Sequence, residues 1–144
     1  MRRGNLLEER LTYSVIGRFY EVHRVLGFGF REHFYANALE RELIAQGHQV
    51  GREVNVPIFY KGEMLGKQRL DMVVDEKLIV ETKAALELHE SAKPQVFNYL
   101  RASKLEIALL LHFGPTARAY RVECRNLSIA EIEGGSSRHS IRPV

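Results

Sequence analysis

Asp71 and the run Glu81-Thr82-Lys83 are the residues of this chain best suited to chemistry, because two carboxylates and an ammonium fall within a stretch that otherwise wants burial. Arg69 to Lys83 reads as two β-strands, 69–74 and 78–84, joined by the charged turn Asp75-Glu76-Lys77. Side chains two apart on a strand share a face, so Glu81 and Lys83 point one way and Thr82 the other. With a three-residue loop at 75–77 the hairpin sets Asp71 opposite Glu81, their Cβ atoms about 4.5–5.5 Å apart. A two-residue loop at Glu76-Lys77 pairs Asp71 with Thr82 instead and puts the carboxylates on opposite faces. Like charges at the closer spacing destabilise a sheet unless something positive sits between them. Leu78, Ile79 and Val80 run straight into Glu81, as in a strand covered on both faces. Buried carboxylates need partners, and converging oxygen ligands suit Mg²⁺ or Mn²⁺. Lys83 would then hold a nucleophilic water or offset charge developing on a phosphate. The plainer alternative is that Asp71 and Glu81 form ion pairs with Arg69 and Lys83.

The flanking elements decide what reaches this hairpin. Leu7, Leu11, Val15, Phe19, Val22 and Leu26 recur every three or four residues, which predicts a first helix over 6–26 that Gly27 ends. His23 lies beside that stripe, where a core or capping role suits it better than catalysis. A second helix is expected over 31–46, stopped by Gly47, with Tyr35, Leu39 and Leu43 inward. Glu32 lies three residues before Tyr35 and so falls on the same face, a third acid or simply a favourable first-turn charge. Strands are expected over 50–59 and 64–74, with Pro57 marking an edge or bulge, and with the hairpin they make a meander. Lys61, Lys67 and Arg69 carry positive charge along it. Ser91 and Pro94 open a helix running to Ser103, on which Gln95 and Tyr99 share a turn. The apolar run within 105–113 reads as an interior strand, placed parallel to 78–84 by the helical crossover. A fifth strand follows over 117–124. From Arg125 the composition turns to Ser, Gly, Arg and Glu, so 1–124 is expected as one domain and 125–144 as a mobile tail.

At 144 residues there is room for one domain and not for two. A net charge of +3 permits a nucleic-acid partner without requiring one. One cysteine, Cys124, excludes an internal disulfide and any all-cysteine metal site. No apolar run is long enough to span a membrane, and the first residues lack a signal-peptide core, so a cytoplasmic protein is expected.

Asp71, nine intervening residues and Glu81-Thr82-Lys83 resemble the PD-(D/E)XK nuclease signature, with Leu70 where the proline would stand. Gly29-Phe-Arg-Glu32-His-Phe-Tyr35 resembles the motif that names the GxxExxY group of that superfamily, and Gln95-Val-Phe-Asn-Tyr99 resembles the QxxxY element of RecB-type members. The resemblance implies an α/β, restriction-endonuclease-like αβββαβ core, a mixed sheet of four to five strands flanked by helices. It implies a metal-dependent nuclease that hydrolyses phosphodiester bonds, with DNA as the expected substrate and a homodimer as an option. Asp71, Glu81, the Thr82 carbonyl and Glu32 would serve Mg²⁺ or Mn²⁺, and Lys83, Gln95 and Tyr99 would complete the catalytic set. The alternative is a non-catalytic nucleic-acid-binding or protein-interaction module on the same scaffold.

Overall fold

The computed structural model describes residues 7–125 and 139–144. The chain runs α1 (Glu9–Leu26), α2 (Glu32–Ala45), β1 (Val50–Tyr60), β2 (Glu63–Val74), β3 (Leu78–Lys83), α3 (Ala92–Ser103), β4 (Ile107–Phe113), β5 (Ala117–Cys124) and β6 (His139–Pro143). The strands form one sheet in the order β1-β2-β3-β4-β5-β6. Every neighbouring pair is antiparallel except β3 and β4, which the α3 crossover makes parallel.

Among the described residues six strands are present where four to five were expected, because residues 139–143, within the expected tail, form β6, which pairs Ile141 with Val122. The rest of that segment, 126–138, lies outside the described residues. Pro57 sits on the edge strand β1, next to a register shift between Ile58 and Phe59, so its missing N–H interrupts no interior ladder.

Helices cover both sides of the sheet. On one side α1 and α2 pack Val15, Phe19, Tyr35 and Leu39 against Met72, Val74, Val80 and Leu109. On the other, α3 packs Val96, Tyr99 and Leu100 against Leu70, Ile79, Ala108 and Leu110. β4 is buried along its whole length, as its continuous apolar run requires. His23 does structural work, its Nε2 lying 2.7 Å from the Gly114 carbonyl in the β4–β5 turn.

One departure from regular strand geometry decides which way the carboxylates face. Leu70 packs on the α3 side and Met72 on the α1–α2 side, although residues two apart normally share a face. β1 inverts at the same level: Val50 packs with α1 and α2, while Val54 and Val56 pack with α3. Between them lies Glu53, at φ 53°, in the left-handed region that a non-glycine residue adopts only at a cost. The pairing continues in register on both sides of Glu53 and Asp71, so two strands turn over together without an inserted residue.

Candidate active site

The β2–β3 turn is the three-residue form, with Asp75 and Glu76 at φ 53° and 58° and the Lys77 amide donating to the Val74 carbonyl. The ladder pairs Val74 with Leu78, Val73 with Ile79 and Met72 with Val80, so Asp71 and Glu81 are the next opposed positions. There the ladder stops. In place of a backbone partner, the Thr82 amide donates to Asp71 Oδ2 at 3.1 Å, and the Thr82 hydroxyl donates to the same oxygen at 3.2 Å. The strand inversion falls at Asp71, the residue whose carboxylate receives both bonds.

Glu81 shares the face of Ile79, which belongs to the α3 side. The Glu81 and Lys83 side chains therefore face α3. Lys83 Nζ is 3.3 Å from Glu81 Oε2 and donates to Gln95 Oε1 on α3 at 3.3 Å. Tyr99, one turn beyond Gln95, is buried and its hydroxyl accepts from Gln68 Nε2 at 3.4 Å. Burial, then the charges of Glu81 and Asp71, push the Tyr99 hydroxyl up to about 12, so it remains a proton donor beside the carboxylates.

Glu32 reaches the cluster from the first turn of α2. It keeps solvent access, yet the atoms packed around its carboxyl raise its pKa. Asp71's charge adds to this, while Lys83 and the Ala84 amide work against it. A cavity of about 160 Å³ opens between Glu32, Lys83 and Gln95. Tyr35 stays away from the carboxylates. Fully buried and stacked on Phe113, it donates to the Gly27 carbonyl at 2.6 Å and accepts from the Phe30 amide at 3.2 Å. It holds the loop carrying Gly29, at φ 117°, which delivers Glu32.

Every residue singled out from the sequence for the site thus converges on one end of β3: Glu32, Asp71, Glu81, Thr82, Lys83, Gln95 and Tyr99. Gln68 was missed because strict alternation from Asp71 would place it on the opposite face, and only the inversion turns it toward Tyr99.

The same residues fit a divalent cation. Glu81 is buried and its Oε1 has no hydrogen-bonding partner, an arrangement that costs free energy unless something positive or a proton meets it. Burial, followed by Asp71's charge and a carboxyl–carboxyl hydrogen bond with Asp71, pushes Glu81 up to about 8, with Lys83 only partly offsetting them. Among the described residues no three His, Cys, Asp or Glu side chains make a ready cage. An ion here would take its other ligands from carbonyl oxygen and water, as Mg²⁺ commonly does.

A mixed sheet with helices on both faces, carrying Asp71 opposite the Glu81-Thr82-Lys83 strand, defines a restriction-endonuclease-like fold. Residues 9–124 match the family model of the PD-(D/E)XK nuclease superfamily, and the chain belongs to that superfamily. The crystal structure of a protein designated SSO0001 shares the fold, with a TM-score of 0.53 and 21% identity. The alignment covers 87% of this chain and 62% of that one. Comparison with the curated proteins gives no match. Among the described residues no helix is long and apolar enough to cross a membrane.

Proposed function

We propose that the protein is a metal-dependent nuclease of the GxxExxY type that hydrolyses phosphodiester bonds in DNA. The observation that carries this reading is the buried Glu81 carboxylate, one oxygen unpartnered, beside Asp71 and within 3.3 Å of the Lys83 ammonium.

Asp71, Glu81 and the Thr82 carbonyl would hold Mg²⁺ or Mn²⁺, with Glu32 flanking them. Bound there, the cation supplies Lewis acidity toward water and phosphate oxygen. The chain's own groups do the rest. Lys83, held between Glu81 and Gln95, orients the attacking water and offsets the negative charge that grows on the phosphate. Water oxygen bonds to phosphorus and gives up a proton to solvent as the ester P–O bond breaks, and the leaving oxygen takes a proton from solvent. Tyr99 keeps its proton and can donate to a phosphate oxygen. Gly29, Glu32 and Tyr35 support the group assignment, since the glycine's φ and the tyrosine's two hydrogen bonds shape the loop that presents the acid.

The test is cleavage of labelled DNA in Mg²⁺ and in Mn²⁺ by the parent, Asp71→Ala and Lys83→Ala proteins. The parent should cut in metal and not in chelator. Each variant should lose at least about a hundredfold in rate while its circular dichroism is unchanged. Equal cleavage by variants and parent would reject the assignment, and nucleic-acid binding in chelator with no cleavage in any divalent metal would favour a non-catalytic module.

A further inference from the structure

β2 pairs with β3 only at Met72, Val73 and Val74, while β1 and β2 stay paired from Val50↔Val74 to Tyr60↔Glu63. The rest of the β1–β2 pair is a two-stranded ribbon that runs past the carboxylates on the α3 side. Two clefts lie between ribbon and helix. The first, about 360 Å³, is bordered by Gln95 and Tyr99 of the site together with Gln68, Asn98 and Ile58. The second, about 500 Å³, shares Ile58 and Asn98 with the first and continues to Phe59, Arg101 and Lys104. Ile58 and Asn98 line both, so the two clefts adjoin, running from Gln95 and Tyr99 toward Arg101 and Lys104 as one track. Among the described residues, no acidic side chain lines either cleft.

We propose that this track seats a single strand of nucleic acid beside the scissile phosphate, a conclusion that rests on the nuclease reading and specifies its substrate. The lining supplies what such a strand needs. Arg101 and Lys104 bring positive charge to the far end, Gln68 and Asn98 bring amides that hydrogen-bond phosphate or base edges, and Phe59, 61% exposed, offers an open aromatic face. Single strands bind where a basic groove follows the backbone and aromatic rings stack the bases. A duplex presents its bases already stacked and paired, so Phe59 would find no free base face.

The experiment measures binding of labelled oligothymidylate and of a duplex to the parent protein in chelator, by fluorescence anisotropy across a salt series. The parent should prefer the single strand. Arg101→Glu should weaken that binding about tenfold and flatten the slope of log affinity against log salt by about 0.7, and Phe59→Ala should weaken it about tenfold with the slope unchanged. Both positions are exposed, so the fold is expected to survive, and circular dichroism checks it. Equal affinity of parent and Arg101→Glu for the single strand, or a preference for duplex, overturns the track. If cleavage still depends on Asp71 and Lys83 in that case, the nuclease reading stands without it. If the single strand binds as stated but no metal supports cleavage, the track stands and the nuclease reading falls.

Discussion

Glu81 concentrates the conflict between stability and function in one side chain. A carboxylate buried beside another is unfavourable as an anion, and its pKa of about 8 expresses that. The unfolded value is 4.5, so the neutral acid's contribution to stability is full below about 4.5, declines as pH rises and is gone above about 8. In chelator, Glu81→Gln removes this penalty. Above about pH 8 the variant should be more stable than the parent, by on the order of 5 kcal/mol, and near pH 4.5 the two should melt together. Thermal melts at the two pH values decide it, and a parent-to-variant difference independent of pH would contradict the assignment of the penalty to Glu81. The same variant should not cleave, since it removes a metal-binding charge.

At the scale of elements, loops deliver the acids and buried hydrogen bonds set the loops. Tyr35 ties the Gly27 carbonyl to the Phe30 amide, so Tyr35→Phe leaves both without that partner while preserving the stacking on Phe113. A loss of about 1–3 kcal/mol is expected, read from the midpoint of urea unfolding, with a smaller fall in cleavage as Glu32 loses its fixed approach. A second tether holds the β2–β3 turn. Ser14 Oγ on α1 lies 2.8 Å from His48 Nε2, and His48 Nδ1 lies 2.7 Å from Asp75 Oδ2, whose other oxygen accepts from the Gln49 amide. His48→Ala should cost about 1–2 kcal/mol yet leave the cleavage rate per folded molecule unchanged, because Asp75 lies at the far end of the hairpin from Asp71. A parallel loss of rate would show that the turn, and not only the strand pairing, sets the carboxylate geometry.

For the whole molecule, the sheet acts as a rigid wall with its chemistry at one end. On the α1 side, buried Arg121 donates to the Thr12 hydroxyl at 2.8 Å and to the Leu7 carbonyl, and pairs with Glu123 at 3.4 Å. Ser140 of β6 donates to the other Glu123 oxygen, so the last strand is locked to the first helix through side chains. Glu123→Ala strands a buried guanidinium and should lower stability by about 3–5 kcal/mol, with calorimetry as the check. A bound divalent cation works in the other direction. At a hundred times its dissociation constant it should add about 2.7 kcal/mol, seen as a higher melting temperature in Mg²⁺ for the parent and no shift for Asp71→Ala.

Much of this was legible in the sequence because it is local. Periodicity marked the helices, the length of the α3 crossover made β4 parallel to β3, and the polar Asp75-Glu76-Lys77 turn left two registers open, of which the structure takes the one that opposes Asp71 to Glu81. Spacing likewise put Gln95 and Tyr99 on one helical turn. What alternation could not reveal was the paired inversion at Glu53 and Asp71, since strand patterning assumes that every second residue keeps its side. Only the packing of β1 against β2 settles where that rule breaks. The break falls at Asp71 and brings Gln68 to the Tyr99 side of the sheet. β6 was hidden for a related reason: its polar composition reads as tail, and its order comes from backbone pairing with β5 and from the Glu123 carboxylate, both contacts between residues far apart in the chain.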